Sequence, residues 1–116
     1  MPVVIKTKGN VICAHIKGEV DHHNAPEIRG MIDDAIIMND AQKTVVLDFS
    51  GVTFMDSSGV GLVMGRYRLA SSRGKKITVN NLSERDYRIM KMSGIERLAT
   101  INKIADKKEE LTYEKD

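Results

Sequence analysis

Positions 54–65 read Phe-Met-Asp-Ser-Ser-Gly-Val-Gly-Leu-Val-Met-Gly, and the chain is organised around this stretch. Aspartate and serine are preferred N-cap residues because their side-chain oxygens accept hydrogen bonds from the free N–H groups of a first helical turn. The stretch therefore predicts a helix that begins at about Ser57 and ends before Gly74. Gly59 and Gly61 each cost about 1 kcal/mol relative to alanine inside a helix. Their presence predicts that another backbone or a partner protein comes close to this turn.

The segment before this stretch predicts a hairpin and a helix. Two apolar runs, residues 3–8 and 11–17, flank the turn dipeptide Gly9-Asn10 and predict two antiparallel strands. A polar loop over residues 18–24 leads to a helix that Asn24 caps and that ends near residue 38. Period-two alternation directs one set of strand residues to the core, and helical periodicity gives the helix one apolar stripe. The two sets are Ile12, Ala14 and Ile16 in the strand, and Ile28, Met31, Ile32, Ala35 and Ile36 in the helix.

The two polar faces are predicted from the same patterns. His15 falls on the opposite face of its strand from the core and is expected to be a surface or half-covered residue, with a catalytic base as the alternative that the lack of a nearby acid in the sequence disfavours. The acids Asp33 and Asp34 fall on the side of the helix away from its apolar stripe and are expected to lie in water.

Strands and helices alternate through the rest of the chain. The apolar run at 44–49 predicts a central strand that helices bury on both faces. The later elements are predicted as a strand at 76–80, a helix from Ser83 to about Ser93, a strand at 98–101 and a final helix at 104–113. This order predicts an α/β fold with a mixed, mainly parallel sheet, an N-terminal hairpin and about four helices.

Composition limits the class of protein. The 116 residues carry a net charge of +2 and include two Phe and no Trp, which predicts one domain with a single aliphatic core. This small charge disfavours nucleic-acid binding without excluding it, and the candidate residues for such binding are Arg66, Arg68, Arg73, Lys75 and Lys76. The lone Cys13 excludes an internal disulfide, and no spacing of His and Cys suggests a metal site. Because the N-terminus and the rest of the chain lack long apolar runs, we expect a cytoplasmic protein that does not insert into membranes.

Catalytic motifs are poorly matched by the central stretch. A phosphate-binding loop aligned from Gly51 would have Asp56 and Ser57 in place of its glycine and lysine, which reverses the charge that a nucleotide needs. A hydrolase nucleophile elbow would need glycine two residues before its serine, and Met55 stands there instead. The sequence therefore predicts a protein that is not an enzyme and needs no cofactor, with a nucleotide-binding or small hydrolase domain as the alternative.

The hydroxyl of Ser57 can instead be a site of phosphorylation. A helix N-terminus favours a phosphate, because free N–H groups and the positive end of the helix dipole face it. A phosphate would add about −1.5 to −2 charges on a surface that already carries Asp56. The alternative at this point is that Asp56, Ser57 and Ser58 only cap the helix.

Five motifs in this order resemble the STAS family of anti-anti-sigma factors, and within it the sporulation regulators of endospore-forming bacteria. They are Gly18-Glu19-Val20-Asp21-His22-His23, Leu47-Asp48-Phe49, residues 54–61, Gly65-Arg66-Tyr67 and Met92-Ser93-Gly94. The resemblance implies a single STAS domain over residues 1–116. It also implies an anti-sigma factor antagonist whose unphosphorylated form binds an ATP- or ADP-bound anti-sigma factor, itself a serine kinase, and thereby releases the sporulation sigma factor. Control of a stress-response sigma factor is the alternative within the family.

The resemblance also assigns residues. It implies that the kinase phosphorylates Ser57 to inactivate the antagonist, and that a membrane-bound serine phosphatase restores it. The surroundings of the phosphate are then Asp56, Ser58, Gly59 and Gly61. The residues expected to contact the partner are Glu19, Asp21, His22, His23, Met55 and Val60.

Overall fold

A computed structural model describes residues 1–105 of the chain. These residues contain five strands, three α-helices and one short 3₁₀ helix. In chain order they are β1 (Val3–Lys8), β2 (Val11–Val20), α1 (Ala25–Met38), β3 (Thr44–Met55), α2 (Ser58–Ser72), β4 (Lys76–Leu82), α3 (Glu84–Met92), the 3₁₀ helix (Ile95–Arg97) and β5 (Thr100–Lys103). The order confirms the predicted alternation of strands and helices.

One five-stranded sheet organises the fold, with its strands side by side in chain order. β1 and β2 form the predicted antiparallel hairpin, in which Gly9 has a φ of +57° that a side chain would disfavour. The pairs β2–β3, β3–β4 and β4–β5 are all parallel. The sheet is therefore mixed and mainly parallel, as predicted, and successive βα units place the starts of α1 and α2 at the same edge of the sheet.

Helices α1 and α2 pack against each other, α1 over β1 and β2 and α2 over β3 and β4. The core lies between these helices and the sheet, and the predicted strand and helix stripes supply much of it. The fully buried members are Ile12, Ala14, Ile16, Ile28, Ile32, Ile36, Val45, Leu47 and Val79. Met31 is half-buried at the margin of this core.

The prediction that helices bury β3 on both faces is wrong. Val45 and Leu47 are buried on the helical face, but Val46 is only half-buried and Ser50 is exposed on the other face. The run 44–49 looked apolar on both faces of the strand because Val46 and Phe49 add apolar side chains to those of Val45 and Leu47. β3 also continues to Met55, beyond the predicted end, because pairing with β2 resumes after a register shift.

The C-terminal part differs from the prediction at its end. Ser83 caps α3 as predicted, since its hydroxyl oxygen accepts a hydrogen bond from the Asp86 N–H at 3.1 Å. The last strand is shifted by two residues from the prediction, to Thr100–Lys103. Ile104 is exposed and not helical, and the remainder of the predicted final helix lies outside the described residues.

Candidate functional site

The ends of β2 and β3 bring the predicted site together. Val20 pairs with Met55 at the last position of the β2–β3 ladder, and the Asp56 N–H donates a hydrogen bond to the Val20 carbonyl at 3.1 Å. The β2–α1 loop and the β3–α2 loop are thus neighbours at the carboxyl edge of the parallel strands. Ligands and partners of α/β sheets commonly meet the chain at this edge.

Ser57 is exposed and occupies the N-cap position of α2, yet its hydroxyl makes no capping hydrogen bond. The carboxylate of Asp56 takes that role, since its Oδ1 accepts from the Ser58 N–H at 2.7 Å. The prediction of a helix start near Ser57 is confirmed, with Ser58 as the first helical residue. The Ser57 hydroxyl is consequently not used to cap the helix.

The N–H groups of the first turn of α2 already have acceptors. The Ser58 N–H donates to the Asp56 carboxylate, the Gly59 N–H to the Asp56 carbonyl at 3.0 Å, and the Val60 N–H to the Ser57 carbonyl at 3.1 Å. The expectation of free N–H groups facing a phosphate is therefore wrong for these three donors. A negative charge at Ser57 would be stabilised by the helix dipole but not by hydrogen bonds from these three N–H groups.

Asp56 joins the two loops electrostatically. Its Oδ2 accepts from the His22 N–H at 3.3 Å, across the gap between the β3–α2 and β2–α1 loops. Hydrogen bonds from the backbone and side chain of Ser58, and then from His22, lower the pKa of the Asp56 carboxyl below its usual value. The carboxylate is therefore charged at neutral pH, on the residue that immediately precedes Ser57.

The prediction that Met55 contacts the partner is wrong. Its side chain is completely buried and packs against Gly59, where a β-carbon would overlap the Met55 sulfur. Gly59 is therefore required by this internal contact, whereas a β-carbon at Gly61 would meet nothing within 4 Å. The prediction that another backbone or a partner comes close is therefore wrong at Gly59, where the close neighbour is the Met55 side chain. At the exposed Gly61 there is open space, so close approach of a partner there stays a prediction.

Phe54 was missed by the sequence-based list of partner contacts. It is 47% exposed, and the guanidinium carbon of Arg85 lies 5.8 Å from the centre of its ring. Arg85 also donates a hydrogen bond to the Met55 carbonyl at 2.9 Å, which fixes its position. Had β3 been extended to Met55, period-two alternation would have indicated Phe54 as the outward-facing residue.

The other predicted contact residues surround this site at different depths. Glu19, His22 and His23 are exposed, and Asp21 and Val60 are half-buried. Asp21 Oδ1 accepts from the Asn24 N–H at 2.8 Å, while the Asn24 side chain donates to the Glu19 carbonyl at 3.2 Å. The predicted side-chain cap by Asn24 is therefore wrong, because Asn24 points back to stabilise the loop.

A groove of about 310 Å³ runs between α1 and α2 beside the site. Two basic residues outside the predicted partner contacts, Arg29 and Arg66, line this groove. Arg66 Nε lies 2.7 Å from Asp33 Oδ1, so the prediction that Asp33 is fully solvated is wrong. One indication of this ion pair was present in the sequence, because consecutive parallel βα units place α1 and α2 side by side.

A second polar cluster occupies the sheet face away from α1 and α2. His15 Nδ1 lies 2.7 Å from Asp48 Oδ2, and Asp48 Oδ1 accepts from the Asn81 side chain at 2.8 Å and the Ser50 N–H at 3.0 Å. Burial alone would raise the pKa of Asp48, but the hydrogen bonds from Asn81, Ser50 and His15 lower it below its usual value. The prediction that His15 is a surface or half-covered residue is confirmed, since it is half-buried. Its acidic neighbour Asp48 was not visible in the sequence.

The described part of the chain lacks two further features, a metal site and a membrane-spanning helix. Its His, Cys, Asp and Glu side chains form no group of three or more that could hold a metal ion. Among residues 1–105, no helix combines the length and the apolar character needed to cross a bilayer.

Comparison with known proteins gives the class of the molecule. Residues 2–111 match the family model described as the STAS domain. An anti-sigma F factor antagonist of Paenibacillus polymyxa is 33% identical over 91 residues, which cover 78% of this chain and 77% of the relative. The chain therefore belongs to the STAS family and stands among its anti-sigma factor antagonists.

Two solved structures are similar to nearly the whole chain. The anti-sigma factor antagonist SpoIIAA in its unphosphorylated form has a TM-score of 0.72 at 28% identity, covering 97% of this chain and 96% of that chain. The Bacillus cell fate determinant SpoIIAA in its phosphorylated form has a TM-score of 0.66 at 28% identity, covering 96% and 97%. The same fold thus occurs in a phosphorylated and an unphosphorylated relative.

Proposed function

We propose that residues 1–116 form a single STAS domain that acts as an anti-sigma factor antagonist and is switched off by a phosphate on Ser57. The observation that carries this proposal is the exposed Ser57 at the start of α2, whose hydroxyl makes no capping hydrogen bond. A kinase can reach such a hydroxyl without unfolding the protein. The relatives named as anti-sigma factor antagonists support the regulatory role.

The switch follows from charge on an otherwise unchanged surface. The first-turn N–H groups are already bonded, so they would not neutralise the phosphate oxygens. The phosphate would add about −1.5 to −2 charges next to the ionised Asp56. An anion that a partner must bury without compensation costs about 2–5 kcal/mol, or about 30-fold to a few thousand-fold in affinity.

The proposed partner is an anti-sigma factor that is also a serine kinase and carries ATP or ADP. The unphosphorylated antagonist binds this kinase, and the sigma factor that the kinase held is released as an indirect effect. A serine phosphatase removes the phosphate and restores binding. The contact surface comprises the β3–α2 loop with Phe54 before it and Val60 after it, and the β2–α1 loop, which contains His22 and follows Glu19. These four residues are exposed or half-buried. We further propose that the protein acts in the cytoplasm and has no catalytic activity of its own.

The test combines phosphate mapping with binding. Incubation of the chain with the kinase and ATP is expected to add one phosphate, which mass spectrometry locates on Ser57. Ser57→Ala and Ser57→Asn should bind the kinase as tightly as the wild type, whereas Ser57→Asp should bind about 30-fold or more weakly because of its charge. A phosphate on Ser58, or equal binding by the Asn and Asp variants, would contradict the proposal.

A nucleotide-binding or hydrolase function makes a different prediction. It requires saturable binding of ATP or GTP, or ester hydrolysis, by the purified chain without a partner. The kinase preparation must therefore be tested alone as a control for nucleotide binding. A nucleotide affinity that belongs to the chain itself would favour this second function.

A further inference from the structure

The groove between α1 and α2 begins beside the phosphorylation site. Ala25 and Ser58, the first residues of the two helices, both line it. Gly61 and Gly65 form part of its wall, and a β-carbon at either position would meet nothing within 4 Å. The groove is thus open to a side chain from outside, and the positive ends of two helix dipoles point to its mouth.

Arg66 is buried at this groove with part of its hydrogen-bonding capacity unused. Its side chain is 8% exposed and lines the groove. Nε lies 2.7 Å from Asp33 Oδ1, but the pair is poorly aligned for a hydrogen bond, and the buried Nη1 has no partner among residues 1–105. Because buried polar groups are normally satisfied, the unpaired guanidinium indicates room for a further anionic acceptor nearby.

The charges around the groove are unbalanced. Arg29 lines it and is exposed, and it lies close enough to Arg66 to affect its ionisation electrostatically. The carboxylate of Asp33 is the counter-charge that Arg66 contacts. The carboxylates of Asp21 and Asp56 accept hydrogen bonds at the starts of α1 and α2, outside the residues that line the groove. Inside the groove, two guanidinium groups stand against the single contacting carboxylate of Asp33, and this local positive potential favours a ligand with a negative charge.

We propose that this groove receives a carboxylate side chain of the anti-sigma factor kinase when the unphosphorylated protein binds it. Arg29 pairs with the carboxylate directly, and the buried charge of Arg66 attracts it into the groove. This inference rests on the proposed function and adds the chemistry of the partner's contact. It assigns the α1–α2 groove to the interface in addition to the two loops.

The position of Ser57 links this contact to the switch. Ser57, Gly61 and Gly65 follow one another at intervals of four residues, so they lie along one face of α2, and the last two line the groove. A phosphate on Ser57 would stand at the mouth of the groove. It would repel the incoming carboxylate and compete for Arg29, so one modification would act on the partner's anchoring group as well as on the nearby surface.

Charge reversal at Arg29 tests the proposal with purified chain and kinase. Arg29→Glu is expected to weaken binding about tenfold or more, and Arg29→Lys to stay within about threefold of the wild type. Arg68→Glu is the matched control, because Arg68 is an exposed arginine of α2 that does not line the groove. Added salt should weaken wild-type binding more than binding of Arg29→Glu. Thermal melts confirm that each variant is folded.

The outcomes separate this inference from the proposed function. If the wild type binds the kinase and Ser57→Asp does not, but Arg29→Glu binds as well as the wild type, the groove contact is overturned while the switch stands. If the wild type fails to bind the kinase, the proposed function itself fails. Restored binding of Arg29→Glu by an acidic-to-arginine change in the kinase would identify the paired carboxylate. If Arg29→Glu affects only the stability of the phosphorylated form, the groove holds the phosphate and the partner contact is wrong.

Discussion

Gly59 lies directly against the sulfur of Met55, so that a β-carbon at position 59 would overlap this atom. The contact joins the last residue of β3 to the first turn of α2 and buries Met55 completely. Because successive strand residues alternate between faces, the inward Met55 leaves Phe54 on the surface. The same contact fixes the start of α2, where Ser57 is exposed.

We therefore expect opposite effects of alanine at two glycines of one helical turn. Gly59→Ala forces Met55 to move and should destabilise the protein by about 1–3 kcal/mol, as overpacking does. Gly61→Ala meets open space and should be neutral or stabilising by up to about 1 kcal/mol, since alanine favours the helix. Urea denaturation of the two variants measures the difference. Equal stabilities would contradict the contact between Gly59 and Met55.

The Asp56 carboxylate should control the order of both loops. Asp56→Ala removes the acceptor of the Ser58 and His22 N–H groups, so hydrogen exchange at these two amides should become faster. Ser58→Ala is the control, because it keeps the backbone donor. In NMR titrations the carboxyl of Asp56 should titrate below the usual range for aspartate, and the Ser58 amide shift should follow it. An unchanged exchange rate in Asp56→Ala would show that the loops are held by other contacts.

Asp48 should contribute stability that depends on pH. Its pKa is lowered in the folded protein by hydrogen bonds from Asn81, Ser50 and His15, and is about 3.9 in an unfolded chain. The contribution is therefore fully present above about pH 4 and is lost as the pH falls through the lower folded pKa. At neutral pH, Asp48→Asn should destabilise by about 1–3 kcal/mol.

Urea denaturation at neutral pH and at about pH 3 checks the expectation for Asp48, since only ionised Asp48 differs in charge from asparagine. The difference between wild type and Asp48→Asn should become smaller at the lower pH. Asp34→Asn, at an exposed position of α1, should show little difference at either pH. A constant difference for Asp48→Asn would mean that its hydrogen bonds do not depend on the charge.

The sequence predicted the architecture because hydrophobic periodicity is a local property. The Gly9-Asn10 turn, the apolar stripe of α1 and the start of α2 were all visible within short windows. The contacts that fix the site are between distant positions. Pairing of Asp56 with the His22 N–H, and of Arg66 with Asp33, depends on how two βα units pack, which no single window contains.

The wrong prediction that Met55 contacts the partner also arose from a contact between distant positions, the pairing of β3 with β2. The segment after Phe49 reads as an irregular connection, since Ser50, Gly51 and Thr53 interrupt the apolar run. Pairing with β2 nevertheless extends the strand to Met55, with register shifts between His15 and Lys17 and between Gly18 and Glu19. Without this pairing the inward side of residues 50–55 cannot be known, and Met55 was assigned to the surface in place of Phe54.

Separate alanine substitutions of Phe54 and Met55 provide a direct test of the partner surface. Phe54→Ala removes a 47% exposed ring and should leave the free energy of unfolding within about 1 kcal/mol of the wild type, because surface changes cost little. It should weaken kinase binding by about 1–2 kcal/mol or more if the ring is an interface anchor, since exposed aromatics often dominate binding energy. Met55→Ala should show the reverse balance, with a loss of about 2–5 kcal/mol in stability from the cavity left behind.

Calorimetric binding and urea denaturation, carried out on the same two preparations, separate these effects. Arg85→Gln serves as a control for Phe54→Ala, because it removes the cation beside the ring but keeps the ring itself. Binding that survives in Phe54→Ala, together with unaltered stability, would exclude this ring from the interface. The contact surface would then have to lie on the β2–α1 loop and the α1–α2 groove, where the charge of Arg29, with that of the nearby Asp56, would determine affinity.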